Sequence, residues 1–313
     1  MTADALRCGH GLHDALFHAR YQKYMKFAIM FENSPRWGNT DSRDLIENLM
    51  PFWMETYFKR ENYLVIDNKP VLFIYRQPEL SSVWPDPADQ KAAFDACREY
   101  AKGCGFDGMI FAVEWRGMFS EEAVADSLAR GYDFRFGYTG YRPPNGVNMP
   151  EQDYVLEQSL ERAKFVLNAS AMHHIATASC FWDPEPRTTQ HWLDLGSKFA
   201  EYGGFFYAQP ETYRKILRGI REMCDALPDG AWAKKILMID NWNEWDEGHY
   251  VSPSHAFGFR YLQAIREELT ARDNLPDYRM PQDLGLSENL NKSWGEPDLG
   301  PICKQKLEEK AHV

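Results

Sequence analysis

Two glutamates three positions apart stand at the end of an apolar run in the second half of the chain. Residues 236–239 are apolar, and residues 241–248 read Asn-Trp-Asn-Glu-Trp-Asp-Glu-Gly. Paired carboxylates suit glycoside cleavage, in which one acid protonates the leaving oxygen and a second carboxylate acts as nucleophile or base. The two tryptophans of the same segment would offer flat apolar faces to sugar C–H groups, which fits the same chemistry.

The spacing of Glu244 and Glu247 sets a condition on the local structure. Side chains three apart on a strand point to opposite faces, whereas on a helical turn they lie together, with Cβ atoms about 5–6 Å apart. The pair can therefore share a site only if the chain turns directly after Glu244. The competing interpretation is a solvated acidic loop behind a core strand, with Trp242 and Trp245 simply packed, and spacing alone leaves both open.

The composition is typical of a globular protein. The 313 residues are 44% hydrophobic and 26% charged, enough for one large α/β barrel or two ordinary domains, of which we favour one domain. A formal charge of −11 without a basic cluster argues against nucleic acid or an anionic membrane as the main partner. Six cysteines without a close CxxC pair predict reduced thiols.

No apolar segment approaches the roughly 20 residues of a membrane helix, and the N-terminus lacks the apolar core of a signal peptide. We therefore expect a cytoplasmic protein with no membrane partner. No nucleophile elbow or glycine-rich phosphate loop occurs, and His173-His174 lacks a nearby carboxylate pair, so neither a cofactor nor a metal is predicted.

Helical and strand patterns alternate along the chain. Helices are predicted over residues 11–25, 42–58 (capped by Asp41), 88–102, 120–129, 151–167, 189–202, 210–227 and 256–270. Strands are predicted over residues 27–31, 71–75, 109–115, 134–138, 175–182 and 235–242. Such alternation predicts right-handed βαβ units and a parallel sheet.

The predicted fold is α/β, a (β/α)8 TIM-type barrel. The pattern supplies about six strands where closure needs eight, and the chain opens on a helix, so the first two strands are expected to be missing. Residues 1–272 are predicted to form this N-terminally incomplete catalytic domain. Residues 273–313 are polar and rich in Pro, Gly, Asn and Lys, which predicts an irregular C-terminal tail.

Polar or aromatic residues follow each predicted strand, where barrel enzymes place their chemistry. A polar residue at the end of one strand is weak evidence for a site, because strands must emerge into water. All six predicted strand ends carry such residues, and that agreement favours a function. The candidate substrate-binding residues are Glu32, Asn33, Trp37, Tyr75, Arg76, Glu114, Trp115, Tyr138, Trp182, Asp183, Arg187, Trp242, Asn243 and Trp245.

Several segments resemble the WbsX-like domains of polysaccharide gene clusters, which are similar to endo-α-mannosidases of glycoside hydrolase family 99. Residues 242–248 match the signature Trp-Asn-Glu-Trp-x-Glu-Gly, and residues 182–187 resemble the segment Gly-Trp-Asp-x-x-Pro-Arg. Residues 27–33 resemble a strand ending in Trp-Ala/Glu-Asn, residues 68–71 the turn Gly-Lys-Pro-Val, and residues 258–265 the closing helix. The similarity covers roughly residues 10–270.

The chain departs from this family pattern at three places. Phe31 stands where Trp is usual, and Cys180-Phe181 precede Trp182 where the family tends to have Gly. The family's first two strands have no counterpart, which leaves room for another chain that completes the barrel.

The resemblance implies a role for each glutamate. Glu244 would deprotonate or polarise the sugar 2-hydroxyl, whose oxygen attacks the anomeric carbon to form a 1,2-anhydro sugar. Glu247 would protonate the leaving group and later activate water, with net retention. An oligosaccharide or polysaccharide, mannoside-like, would be the substrate. The alternatives are a glycosyltransferase of polysaccharide biosynthesis and a non-catalytic glycan-binding or assembly subunit.

Overall fold

The structure is a computed structural model, and it describes residues 10–33, 41–115, 120–137, 150–168, 173–183, 206–254 and 256–271. The chain groups into two compact units. The first unit contains residues 1–138 and 169–175, and the second contains residues 139–168 and 176–313. Both units combine helices with short β-strands.

A parallel sheet forms the centre of the first unit. Its strands are β1 (Met30–Phe31), β2 (Val65–Ile66), β3 (Lys69–Ile74), β4 (Ile110–Trp115), β5 (Phe134–Gly137) and β6 (His173–Ile175). Strands β1, β3, β4, β5 and β6 lie side by side in that order and are parallel, while β2 pairs antiparallel with β3. Parallel strands that alternate with helices confirm the predicted α/β class.

Some helices of the first unit begin at a side-chain cap. Residues 42–58 are helical throughout, and the Asp41 carboxylate accepts a hydrogen bond from the backbone N–H of Asp44, as predicted for a cap. Ser120 accepts from the N–H of Ala123 in the same way. The segments are His10–Ala15, Leu16–His18, Gln22–Tyr24, Ser42–Asp44, Leu45–Leu49, Met50–Trp53, Met54–Phe58, Gln77–Val83, Pro87–Gly103 and Glu121–Ala129.

One face of this sheet packs against helices. Leu72 and Ile74 of β3 and Phe111 and Val113 of β4 are no more than 1% exposed. The ring of Phe111 stacks on Phe94 of the helix Pro87–Gly103, with 3.9 Å between ring centroids. The residues that alternate with these along the strands point to the opposite face of the sheet.

The described part of the second unit contains three strand pairs. Its strands are β7 (Thr177–Ala178), β8 (Phe181–Trp182), β9 (Phe206–Tyr207), β10 (Met238–Ile239), β11 (Asn243–Glu244) and β12 (His249–Tyr250). Strands β7 and β10 are parallel, whereas the pairs β8–β9 and β11–β12 are antiparallel. The helices are Gln152–Asn168, Pro210–Asp225, Trp232–Lys234, Trp245–Glu247 and Arg260–Leu269. In neither unit does a described helix have the length and apolarity needed to cross a membrane.

A buried carboxylate joins two helices of the second unit. The Glu268 side chain, 5% exposed, accepts hydrogen bonds from Arg218 at 2.6 and 3.0 Å and from Arg214 at 3.2 Å. Arg221 donates to the backbone carbonyl of Glu268 at 3.1 Å. The hydrogen bonds from Arg218, followed by the charges of Arg218, Arg214 and Arg221, lower the pKa of Glu268.

Glu268→Gln is expected to lower the melting temperature by about 2–4 °C near neutral pH, because the arginines lose their shared anion. A lowered pKa stabilises the fold fully above the unfolded-state value of 4.5, and this contribution is lost as pH falls through the folded-state pKa. The difference in melting temperature between the wild type and Glu268→Gln should therefore shrink as the pH falls. Calorimetry across pH tests this, and a pH-independent difference would contradict the assigned cause.

The observed elements differ from the predicted ones in several places. The predicted helix over residues 11–25 breaks at Ala19, whose backbone is extended. The predicted strand over residues 175–182 divides into pieces because β6, β7 and β8 pair with three different strands. The predicted strand over residues 235–242 is shortened to β10, because the chain bends at Trp242 toward β11.

Several elements were not predicted, and some predictions fall outside the described residues. The sequence interpretation had no counterpart for the strands β2, β9 and β12 or for the helices Gln77–Val83 and Trp232–Lys234. The predicted helix over residues 189–202 and the tail over residues 273–313 lie outside the part of the chain that the structure describes. Barrel closure, the two missing strands and the domain boundary at residue 272 stay predictions.

Candidate active site

The strand β11 ends in a tight turn that carries both glutamates. Glu244 closes β11, Trp245–Glu247 form a 3₁₀ turn, and the chain returns as β12. Antiparallel pairing sets Asn243 opposite Tyr250 and Glu244 opposite His249. The chain therefore turns directly after Glu244, which is the condition that the spacing of the glutamates required.

Glu244 and Glu247 stand at the two ends of the same turn: Glu244 directly precedes the 3₁₀ segment, and Glu247 is its last residue. Because side chains three positions apart nearly eclipse one another in a 3₁₀ turn, we expect the two carboxylates to face the same side. Both side chains are half-buried. They are thus shielded in part from solvent, which strengthens the electrostatic interaction between neighbouring carboxylates.

Exposed aromatic rings flank the glutamates. Trp242 is 54% exposed and Trp245 is 45% exposed, high values for side chains of this size. The ring of Trp245 lies against Tyr250 at a centroid distance of 3.9 Å and an angle of 32°, so one of its faces is supported. Burial raises the pKa of Tyr250, which keeps its hydroxyl neutral near pH 7. Asn243 is also exposed.

The end of β8 lies against the turn. The backbone N–H of Asp183 donates to the carbonyl of Glu247 at 3.0 Å. A Cβ at position 248 would lie 2.5 Å from the Asp183 carbonyl oxygen, and Gly248 has a left-handed backbone with φ of 52°. The structure thus brings the predicted residues Trp182 and Asp183 next to the segment that carries the glutamates.

Gly248→Ala is expected to lower the free energy of unfolding by about 1–3 kcal/mol, because the added methyl meets Asp183 in a backbone region that L-residues rarely adopt. Gly230→Ala is a matched control, since Gly230 has open space around it and no positive φ. Chemical denaturation of both variants provides the measurement. If Gly248→Ala and Gly230→Ala have equal free energies of unfolding, the turn tolerates a side chain at position 248, and the close approach of Asp183 is not a constraint.

A buried polar group lies behind the same hairpin. The Asp240 carboxylate accepts a hydrogen bond from Ser179, and His249 Nε2 lies 2.7 Å from the same oxygen. The Asp240 and His249 side chains are both 0% exposed, and Trp182 packs edge-to-face on His249 with 5.8 Å between ring centroids. Sequence reasoning missed this group; the available signal was Asp240, an acid inside a predicted buried strand.

A second set of predicted site residues lies in the first unit. The pairs Phe31–Ile74 and Ile74–Val113 align β1, β3 and β4, so the next residues, Glu32, Tyr75 and Glu114, follow in one row. Glu114 is buried, whereas Glu32 and Tyr75 are half-buried. Neighbouring parallel strands are about 4.8 Å apart, which makes these side chains neighbours across the sheet. Their contact with substrate stays a prediction.

Asn33 and Arg76 make structural contacts at the same strand ends. The Asn33 amide donates to the Arg76 carbonyl at 2.8 Å and accepts from the Arg76 backbone N–H at 3.4 Å. Asn33 is 3% exposed, and it continues the pairing of β1 with β3 beyond their last residues. The Arg76 side chain contacts the Glu79 carboxylate at 2.9 Å. The described contacts of Asn33 therefore serve the backbone.

Four further predictions lie wholly or partly outside the described residues. Trp37, Tyr138 and Arg187 are not described, and of Trp115 the structure describes the backbone, which ends β4. Their proposed contacts with substrate stay predictions.

The family model described as Glycosyltransferase WbsX matches residues 20–265. The chain belongs to this WbsX family. The match includes the hairpin with Glu244 and Glu247 and the strand ends of both units. It confirms the resemblance drawn from the signature at residues 242–248.

Two curated relatives of this WbsX chain are both described as uncharacterized protein WxcX, from two strains of Xanthomonas campestris pv. campestris. Each is 25% identical over 236 residues, a stretch that covers 68% of this chain. The same stretch covers 29% of the relatives, so the chain spans less than a third of their length.

Solved structures similar to the WbsX chain include glycoside hydrolase-like folds. A protein described as glycoside hydrolase-like is 14% identical, with a TM-score of 0.49, over 74% of this chain and 61% of that one. The GH99 endo-α-mannosidase from Bacteroides thetaiotaomicron is 16% identical, with a TM-score of 0.43, over 86% of this chain and 66% of that one.

The WbsX chain was predicted to use neither metal nor cofactor. Within the described ranges, no three His, Cys, Asp or Glu side chains are grouped so that they could hold a metal ion. The described cysteines Cys97, Cys104, Cys180 and Cys224 are not in disulfide bonds. Burial raises the pKa of the Cys97 thiol to about 12 and that of Cys224 to about 11, so both are protonated and unreactive near pH 7.

Proposed function

We propose that this chain is a glycoside hydrolase acting on an oligosaccharide or polysaccharide, with Glu244 and Glu247 as its chemical pair. The observation that supports the proposal is the 3₁₀ turn that begins directly after Glu244 and ends at Glu247, with both glutamates half-buried. An acidic surface loop, the competing interpretation, would leave both glutamates fully solvated. It would also give no reason for the supported, exposed tryptophans beside them.

The aromatic rings favour a carbohydrate over other neutral substrates. Trp242 and Trp245 expose apolar faces large enough to cover a pyranose ring, and Tyr250 holds Trp245 in place. Asn243 adds an amide that can donate to and accept from sugar hydroxyls. Rigid apolar faces with polar groups between them match the alternation of C–H faces and hydroxyls on a sugar.

The proposed reaction has two steps. Glu244 accepts the proton of the sugar 2-hydroxyl, O2 bonds to the anomeric carbon, and the glycosidic bond breaks as Glu247 protonates the leaving oxygen. In the second step Glu247 takes a proton from water, whose oxygen attacks the anomeric carbon, and O2 leaves that carbon and recovers its proton from Glu244. Two inversions give net retention, although no carboxylate bonds to the sugar. A manno-configured substrate is part of the proposal.

The test is a screen of the purified protein against α-mannosides and bacterial polysaccharides. The double variant Glu244→Gln/Glu247→Gln is assayed in parallel, and both proteins are checked for native folding. Sugar release by the wild type and none by the double variant supports the proposal. Equal release by both proteins would mean that other residues, or a contaminant, carry the activity, and binding without turnover would favour a glycan-binding subunit.

The second candidate function is glycosyl transfer, which the family description favours. A transferase would need a nucleotide-sugar donor, and the sequence has no Asp-x-Asp motif of the kind that holds a metal and a diphosphate. Incubating the protein with a panel of nucleotide sugars and glycan acceptors separates the two functions. Donor consumption that depends on an acceptor would establish the transferase.

A further inference from the structure

The polar group behind the hairpin joins elements that are distant in the chain. Ser179 directly follows β7 and Asp240 directly follows β10, and these two strands are paired in parallel. The Ser179 hydroxyl donates to Asp240 Oδ2. His249 Nε2 lies 2.7 Å from that oxygen without making a straight hydrogen bond to it.

His249 also connects this group to Glu244. Paired residues of an antiparallel hairpin place their side chains on the same face, with Cβ atoms about 4.5–5.5 Å apart. His249 is the residue paired with Glu244, so its buried ring lies beside the base of the glutamate side chain. The edge-to-face contact with Trp182 fixes the ring from a further strand.

The burial of these groups is costly and calls for a reason. Both the Asp240 and His249 side chains are 0% exposed, and their Oδ1 and Nδ1 atoms have no hydrogen-bond partner among the described residues. A buried polar pair often contributes no more stability than well-packed apolar residues of similar volume. The buried pair can instead hold the hairpin in one geometry, which apolar packing would do less specifically.

We propose that Asp240 and His249 are positioning residues for Glu244. Asp240, oriented by Ser179, holds the imidazole through Nε2, and the imidazole holds β12 and its paired residue Glu244 at one place relative to the ends of β7 and β10. The effect on turnover rests on the proposed function. The orientation of His249 and of the hairpin does not.

The first experiment measures the conformation of the hairpin by NMR and needs no substrate. In ¹⁵N NMR spectra of histidine-labelled protein, His249 is expected to carry a proton on Nε2. In protein labelled with fluorotryptophan, the ¹⁹F signal of Trp245 should shift or broaden in His249→Leu and stay close to wild type in His249→Gln, whose amide NH₂ group can take the place of Nε2 beside Asp240. An unprotonated Nε2, or a Trp245 signal unchanged in a folded His249→Leu protein, would overturn the proposal.

The second experiment uses turnover of an α-mannoside or polysaccharide that the wild type cleaves. His249→Leu is expected to lower kcat about 10²-fold with little change in KM, since a displaced glutamate harms the reaction more than binding. His249→Gln should recover most of kcat. Unaltered kcat in a folded His249→Leu protein contradicts the proposal.

A second variant and the substrate-free measurements test the proposal even if His249→Leu does not fold or no substrate is found. If His249→Leu does not fold, Asp240→Asn removes the charge while keeping the shape, and it should perturb the His249 nitrogen signals and the Trp245 signal. Unperturbed signals would contradict the role of Asp240. If no substrate is found, the proposed function fails while the NMR experiments still decide whether Asp240 and His249 position the hairpin.

Discussion

Glu247→Gln is expected to remove hydrolysis of glycosides with poor leaving groups while leaving the fold intact. Glutamine has nearly the same shape, so the turn Trp245–Glu247 can form, but an amide cannot protonate the departing oxygen. Loss of a general acid typically costs about 10²–10⁴-fold in rate. Aryl glycosides with acidic phenols need little protonation, so they should retain much more of their turnover in the first step.

The measurement is kcat/KM for the wild type and the variant over a series of aryl glycosides of graded phenol acidity. The variant should show a steep dependence on leaving-group acidity where the wild type shows a shallow one. Asp246→Asn is the matched control, because Asp246 lies on the same turn and is exposed. Equal slopes for wild type and Glu247→Gln would remove Glu247 from the role of acid.

Local patterns in the sequence predicted most helices because their signals are contained in a few adjacent residues. Asp41 and Ser120 begin helices with side-chain hydrogen bonds to backbone N–H groups, and both boundaries were predicted close to where they lie. The strand β3 was also predicted, since a run of apolar residues buried on both faces requires no knowledge of its neighbours.

The hairpin between β2 and β3 shows a signal that was available but not used. Asp67 and Asn68 have φ values of 48° and 54°, the left-handed backbone that two-residue hairpin turns need and that Asp and Asn tolerate. Strands of two residues are too short for a periodic pattern. The Asp-Asn pair at the turn was therefore the feature of the sequence that could have predicted β2.

The geometry of the site was predictable in part. The condition that the chain must turn after Glu244 follows from spacing alone, and the 3₁₀ turn with Gly248 satisfies it. The group formed by Ser179, Asp240 and His249 depends on which strands pair, and that pairing joins residues about sixty positions apart. No local pattern carries such information, so the buried support behind the glutamates could not be derived before the fold.

Glu244→Gln is expected to abolish hydrolysis of every substrate, whatever its leaving group. The 2-hydroxyl is a weak nucleophile, and without a carboxylate to accept its proton it cannot attack the anomeric carbon at a useful rate. The loss should therefore be the same for acidic and non-acidic phenols, in contrast to Glu247→Gln. The two variants together distinguish activation of the nucleophile from protonation of the leaving group.

The decisive comparison pairs this variant with a 2-deoxy substrate. A glycoside without the 2-hydroxyl has no internal nucleophile, so the wild type should leave it intact, and the product from the parent glycoside should retain its anomeric configuration when followed by NMR. Full activity on the 2-deoxy substrate would show that O2 takes no part. Cleavage of the 2-deoxy substrate would still require a nucleophile. If Glu244→Gln abolished that cleavage, the result would point to direct attack by the Glu244 carboxylate and a covalent intermediate.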